Sequence, residues 1–204
     1  MHIFRLTLIS TACFLVVQGM AQSDNIINFK PDKNVEAPYK KFSIYLGAGP
    51  SYFFNNVVTF KDDVNSWHYQ ISLRFMWEPP HSKLSLGFET GYYRLYTAEA
   101  GEPIAAHVSN SAIPFQLVAT MRFNKNFYAS WSMGQNLLIN TVDAKDKPYD
   151  FNATAVSLSD GSATLGYKFA QKPRLSYAVE TKFFYSASFN NATVAILFLA
   201  GFKL

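Results

Sequence analysis

The chain has 204 residues, a formal net charge of +4 and a single cysteine. That length suits one domain, and a lone cysteine excludes a disulfide framework, so stability must come from packing and backbone pairing. Lys and Arg are scattered without a basic stripe, which argues against nucleic acid as partner; charged residues are only 16% and aromatics 17%, unlike a soluble globular domain.

The first residues read as a secretory signal. His2 and Arg5 precede an apolar run from Leu6 to Val17, and Gly19 and Ala21 place small residues at the third and first positions before a cut after Ala21. The run is too short to cross a bilayer as a helix, and no later stretch is long and apolar enough to do so. Cys13 lies inside the run without the preceding aliphatic residue that a lipoprotein signal would show. Residues 1–21 are therefore expected to be a signal peptide for Sec export. Residues 22–40, polar and broken by Pro31 and Pro38, are expected to be a flexible leader.

From Phe42 the pattern changes to alternation with period two, the signature of strands with one apolar and one polar face. The first strand is expected over Phe42–Phe53, with Phe42, Ile44, Leu46 and Ala48 on one face. Its other face carries Ser43, Tyr45, Gly47, Gly49 and Ser51. The second, Asn65–Trp77, sets Trp67, Tyr69, Ile71, Leu73, Phe75 and Trp77 against His68, Gln70, Ser72 and Arg74. It is long for a soluble strand and carries an indole at each end of its apolar face. Two prolines in Glu78–Ser82 make a tight turn. The third strand runs from Leu84 to about Tyr96, with Glu89 on its polar face. The fourth runs from about Ser109 to Phe123, with Gln116, Thr120 and Arg122 on its polar face. Pro114 inside it is expected near a rim or at a bulge, because proline cannot donate to a ladder.

Asn124-Lys125-Asn126 is a short turn, followed by a fifth strand from Phe127 to about Leu138. A long polar loop is expected over Asn140–Asn152. In the sixth strand Val156 and Leu158 keep one phase while Ala163, Leu165, Tyr167 and Phe169 keep the other. The slip falls at Asp160-Gly161. Either a bulge with glycine at positive φ restores register, or an Asp-Gly hairpin changes the strand count. The seventh strand, Arg174–Ser186, carries Glu180 and Lys182 on its polar face. The eighth closes the chain at Leu204, with Leu197 and Leu199 on its inner face.

Eight strands joined by alternating long and short connections are the pattern of an all-β, eight-stranded antiparallel up-and-down transmembrane β-barrel over residues 41–204. Eleven tilted residues cover about 28 Å, close to the apolar band of such barrels. A soluble lipocalin-like barrel alternates too, but with its apolar face inside. Mid-strand charges favour the opposite sidedness: Arg74, Glu89, Arg122, Glu180 and Lys182 are expected to pair across the lumen. Trp67, Trp77 and Trp131 are expected at the membrane interfaces. An even strand count returns both termini to the periplasm.

The Ala21-Gln22 junction, the Gly47-Ala48-Gly49-Pro50 step, Ile113-Pro114-Phe115 and the Gly201-Phe202-Lys203-Leu204 ending resemble the outer-membrane β-barrel domain family of Bacteroidetes, the porin-like and PorT-like small barrels. The resemblance covers most of residues 40–204. It implies an integral protein of a Gram-negative outer membrane, with a structural or interaction role accessory to secretion or transport. Its partners would be outer-membrane lipids, the barrel assembly machinery through the C-terminal strand (where Phe202 can stand in for a terminal aromatic), and an envelope protein.

Enzymatic chemistry finds one candidate. His107-Val108-Ser109-Asn110 resembles the His-x-Ser-Asn step of outer-membrane lipid A deacylases, which pair a serine nucleophile with a histidine base and an orienting acid. The next acid here is Asp143, expected in a loop, so a polar loop entering a strand is the simpler reading. The four histidines show no metal-ligand spacing, and no phosphate-binding glycine loop exists. Neither metal nor cofactor is expected. An eight-stranded lumen is just filled by side chains, so an open pore is not expected either. A soluble secreted ligand-binding barrel and a lipid A hydrolase stand as the alternative functions.

Overall fold

A computed structural model describes residues 42–54, 64–79, 82–100, 106–144, 151–172, 174–186 and 191–204. The expected signal peptide and leader lie outside these residues, as do the centres of the long loops.

The strands are β1 Phe42–Phe54, β2 Trp67–Trp77, β3 Leu84–Ala100, β4 Ala106–Arg122, β5 Phe127–Ala144, β6 Phe151–Gln171, β7 Leu175–Ser186 and β8 Asn191–Lys203. A two-residue piece, Val64–Asn65, precedes β2 and pairs with β3. Each strand runs antiparallel to its chain neighbours, and β8 pairs with β1. The ring is closed and has no free edge, which is the condition for a sheet to cross lipid. One end, the turn end, carries the connections 78–83, 123–126 and 172–174, the start of β1 and the end of β8; the other, the loop end, carries the connections 55–66, 101–105, 145–150 and 187–190.

Sidedness follows the alternation. Leu117 is 71% exposed, Leu165 68% and Trp67 66%, whereas Arg74 is 4% exposed and Glu180 0%. That excludes the lipocalin-like arrangement. The buried apolar side chains form two clusters. Tyr45, Met76, Val118, Tyr128, Leu197 and Leu199 belong to one, and Phe53, Tyr93, Leu95, Ala112, Leu138 and Phe184, nearer the loop end, form the other. The charged residues share the level of the first, with Arg74 opposite Tyr45 and Glu180 opposite Leu197.

The structure corrects several boundaries. β3 extends four residues past Tyr96, β4 begins three before Ser109, and β5 continues to Ala144. Pairs such as Ala98↔Val108, Thr141↔Ser109 and Val142↔Phe151 carry the ladder onward. Polar residues fall on both faces of these extensions, so alternation fades while backbone pairing continues.

β6 is one continuous strand, which excludes the hairpin. The register against β5 shifts between Gly134↔Asp160 and Asn136↔Ser157, so Leu158 and Ser159 face Gln135 alone. The bulge therefore precedes Asp160-Gly161 by two residues. Gly161 stays in the ladder opposite Met133, with φ outside the left-handed region.

Pro114 is fully buried at the middle of β4, opposite Asn136. The ladder to β3 passes over it, running from Thr90↔Phe115 to Tyr93↔Ala112, and shifts register between Arg94 and Tyr96. The missing donor is thus absorbed by a local break beside a bulge.

Two glycines make room for inward tyrosines. A Cβ on Gly166 would strike the ring of Tyr128, its partner in the ladder, and a Cβ on Gly201 would strike Tyr45. Each ring lies across the neighbouring strand, where only glycine leaves space.

Candidate functional site

The mid-lumen charges come from three strands. Arg74 on β2 is the ladder partner of Glu89 on β3. Glu180 and Lys182 come from β7, which two strands separate from β2. Arg74 donates from Nε to Glu89 Oε2 at 2.8 Å and from Nη1 to Glu180 Oε1 at 2.8 Å. Its Nη2 reaches both carboxylates, at 2.7 Å from Glu89 and 3.1 Å from Glu180. Lys182 pairs with the other oxygen of Glu89. One guanidinium thus bridges two carboxylates across the barrel in the forked geometry that arginine allows.

Tyrosines complete the cluster. Tyr93 donates to Glu89 Oε1 at 2.7 Å and accepts from Lys182 at 2.6 Å. Tyr128 donates to Glu180 Oε1 at 2.7 Å. Tyr128 on β5 reaches β7 by lying over Gly166 of β6, which is paired with both Tyr128 and Glu180. Two cations meet two anions, and each carboxylate has at least three donors. Burial of such a set is tolerated only when it is balanced and hydrogen-bonded. Beside it run hydroxyl and amide contacts: Ser132 donates to Gln116 at 2.6 Å, and Thr120 meets Ser130 at 2.8 Å.

A second buried carboxylate lies under the β6 bulge. Asp160 accepts from Ser157 at 2.6 Å and from the amide of Asn136, and Ser157 meets Ser186 at 3.3 Å. From sequence, Asp160 marks only the phase slip in this strand, as part of a bulge or of a hairpin.

Arg122 is not part of the central cluster. It lies six residues beyond Gln116, the residue opposite Glu89, and about 20 Å along the strand. There its guanidinium donates to the carbonyls of Ser82, at 2.5 Å, and Pro79, at 3.5 Å. Alternation gives the face of a residue but not its height.

Arg122 instead lines a cavity of about 590 Å³ at the turn end, together with Lys83, Lys125, Lys168, Lys203 and Glu78. Glu78 accepts from Ser43 at 2.7 Å and Tyr45 at 2.9 Å, and Lys168 lies 3.7 Å away. Burial alone would raise its carboxyl pKa. Lys168, the two hydroxyls and Arg122 outweigh that and hold it below the usual glutamate range. Lys168 also stands over the rings of Tyr45 and Tyr128, at 5.1 and 5.4 Å.

His107 and Ser109 lie in the loop-end extension of β4. Asp143 is in β5 directly opposite His107, not in a loop, and Glu99 faces His107 from β3. Yet among the described residues no hydrogen bond joins His107 to Ser109 or to either acid. Ser109 is 6% exposed and sits between Thr97 and Thr141. A base-activated serine needs its base within hydrogen-bond reach, and that relay is not assembled here. No cluster of metal-binding side chains exists among the described residues.

The indoles face outward. Trp67 and Trp77 stand at the two ends of β2, about 33 Å apart along the strand. Trp131 on β5 shares a ladder row with Trp77, through Leu86 and Ala119.

No protein-family model matches the chain, and no curated protein matches it in sequence. Solved structures do. The attachment invasion locus protein Ail of Yersinia pestis aligns with a TM-score of 0.50 at 9% identity, over 81% of this chain and 100% of that one. Ail in complex with the heparin analogue sucrose octasulfate gives 0.52 at 10%, over 80% and 97%. Neisserial surface protein A gives 0.47 at 10%, over 80% and 97%. The shared feature is the fold. This chain is a closed eight-stranded antiparallel barrel of the kind found in outer-membrane proteins.

Proposed function

We propose that the protein is an integral outer-membrane β-barrel of a Gram-negative envelope, with a structural or interaction role and no open pore. One observation carries this reading: the wall is apolar outside, while the balanced cluster of Arg74, Glu89, Glu180 and Lys182 fills the middle. Two apolar clusters share the lumen with these charges and leave it occupied by side chains, as eight strands require. The turn end, with the start of β1 and the end of β8, faces the periplasm, and the loop end, with the strand extensions and the connection 55–66, faces outward. The sequence features shared with the PorT-like small barrels favour a Bacteroidetes-type member that serves the envelope as an accessory to secretion or transport.

The test is fractionation followed by gel migration. The protein should separate with the outer membrane and migrate differently before and after boiling. Recovery in the soluble periplasm, or conductance steps of nanosiemens size in planar bilayers, would overturn the respective half of the proposal.

A further inference from the structure

The strands are unequal at the loop end. β6 has 21 residues, while its neighbour β7 has 12. Their ladder ends at Asp160↔Ser186, but β6 stays paired with β5 up to Val142↔Phe151. Among the described residues, the stretch from Phe151 to Val156 therefore has a ladder on one side only. We propose that this bare edge is a docking site for an extended segment of another protein, which adds to it as an antiparallel strand outside the cell. The inference rests on the orientation proposed above, in which the loop end faces outward.

The two edges of the extension differ. On the β3 side, Val64 and Asn65 pair with Ala98 and Thr97. That short piece is held in place: Phe53 N donates to Ser66 O at 2.9 Å, and the Asn65 side chain accepts from Trp67 N at 3.0 Å. Glu99, exposed, adds a charge just beyond it. A cover and a charge are two of the ways in which proteins keep an edge from recruiting other chains. The β6 edge has neither. Asn152, Ala153, Thr154 and Val156 are exposed, and the run Phe151–Val156 holds no charge and no proline. The edge is also preordered, because Ala155 pairs with Leu138 and packs against the loop-end apolar cluster. An ordered strand with one side open is what strand addition uses: main-chain hydrogen bonds supply the affinity, and little ordering is left to do on this side.

Other occupants fit less well. The connection 187–190 joins Ser186 to its ladder partner Asn191. Four residues that must leave and return reach about 8 Å, whereas six strand residues span about 20 Å. Residues 1–41 join β1 at the turn end, on the far side of the wall. A second copy in the same membrane would bring its own β6 in the same sense and could pair only in parallel, the weaker ladder. A segment of another protein can run antiparallel. It would lie beside Asn, Ala, Thr and Val, so the segment that fits is uncharged and rich in β-branched residues.

The test uses the full chain in zwitterionic detergent micelles and a fluorescein-labelled neutral peptide, Ser-Thr-Val-Thr-Val-Thr-Ser, read by anisotropy and by amide hydrogen exchange. Saturable binding is expected, with slower exchange at alternate residues within 151–156. A peptide with Pro-Pro at its centre should not bind. Neighbouring strand residues point their N–H groups to opposite sides, so one of Ala153→Pro and Thr154→Pro spares the β5 ladder. That variant should keep heat-modifiable migration and weaken binding by about tenfold or more. The proposal fails if both variants migrate like the parent and bind as tightly. It fails equally if the peptide slows exchange elsewhere in the barrel and not in 151–156, a result that decides the matter even where neither variant folds. A dimer formed without peptide and lost in the same proline variant would assign the edge to a second copy instead. Peptide bound in micelles but not by intact cells would overturn the outer partner together with the orientation. A barrel that shifts on the gel yet leaves 151–156 unprotected removes the docking edge and keeps the barrel reading intact.

Discussion

Two sets of charges share the lumen and obey different rules. In the middle, Arg74 and Lys182 face Glu89 and Glu180, all 4% exposed or less, with charge matched. At the turn end, among the described residues, Lys83, Arg122, Lys125, Lys168 and Lys203 outnumber Glu78. Deep in the barrel an unmatched charge costs several kcal/mol, so the sequence there must balance. At the half-wet mouth solvent screens a surplus cheaply, and an excess of one sign can persist. Balance marks the charges that hold the wall together. Imbalance marks the wetter mouth, where Lys168 leans on Glu78 and Arg122 on the carbonyls of Ser82 and Pro79.

Removing one member of the matched set should produce the largest effect. Glu180→Ala leaves Arg74 half-paired and the Tyr128 hydroxyl without its acceptor. The expected loss is about 3–5 kcal/mol in urea unfolding from vesicles. Replacing all four charges together, as Arg74→Met, Glu89→Leu, Glu180→Leu and Lys182→Met, should cost much less than the single change. If the single variant is as stable as the parent, the middle cluster does not obey the rule drawn from it.

The outer wall gives the next largest effect. Leu117→Arg places a charge on the lipid face near mid-wall and should cost about 2–4 kcal/mol in a bilayer. With water rather than lipid against this face the same variant would be nearly silent, so the measurement also tests whether lipid covers the wall. Gly166→Val is smaller again. It forces the Tyr128 ring off its seat and away from Glu180, at about 1–3 kcal/mol. The unfolding midpoint of Gly166→Val combined with Tyr128→Ala should recover part of that loss, because the clash is gone.

Much of this was legible in the residues, and for a definite reason. Where lipid lies on one side and a polar lumen on the other, as along β1, β2, β7 and β8, every second residue reports its face. Strand count and sidedness follow from that. Beyond the bilayer both sides are wet, so the extensions of β3, β4, β5 and β6 carry no such signal. The phase slip in β6 was visible, but its placement at Leu158-Ser159 depends on what β5 offers opposite. Glu78 and Lys168 were not singled out because their meeting is a matter of height and of turn geometry. The Tyr128–Gly166–Glu180 step is likewise a property of register across three strands, which no single strand encodes.

The smallest expected effect lies in the acid dependence of the mouth. Glu78 is ionised between Ser43, Tyr45, Lys168 and Arg122, with its folded pKa below the unfolded value. A carboxyl depressed in this way contributes stability that is fully present above the ordinary glutamate range, about pH 4.3, and is lost as pH falls through the folded value. Glu78→Gln should therefore lower the unfolding midpoint slightly at neutral pH and leave it unchanged well below the folded pKa, where the parent carboxyl is also neutral. The variant curve should be the flatter of the two on the acid side. Parallel curves would mean that Glu78 is no better held in the folded barrel than in the unfolded chain. The mouth would then carry its cations with no structural counter-charge, and its contrast with the middle of the lumen would be sharper still.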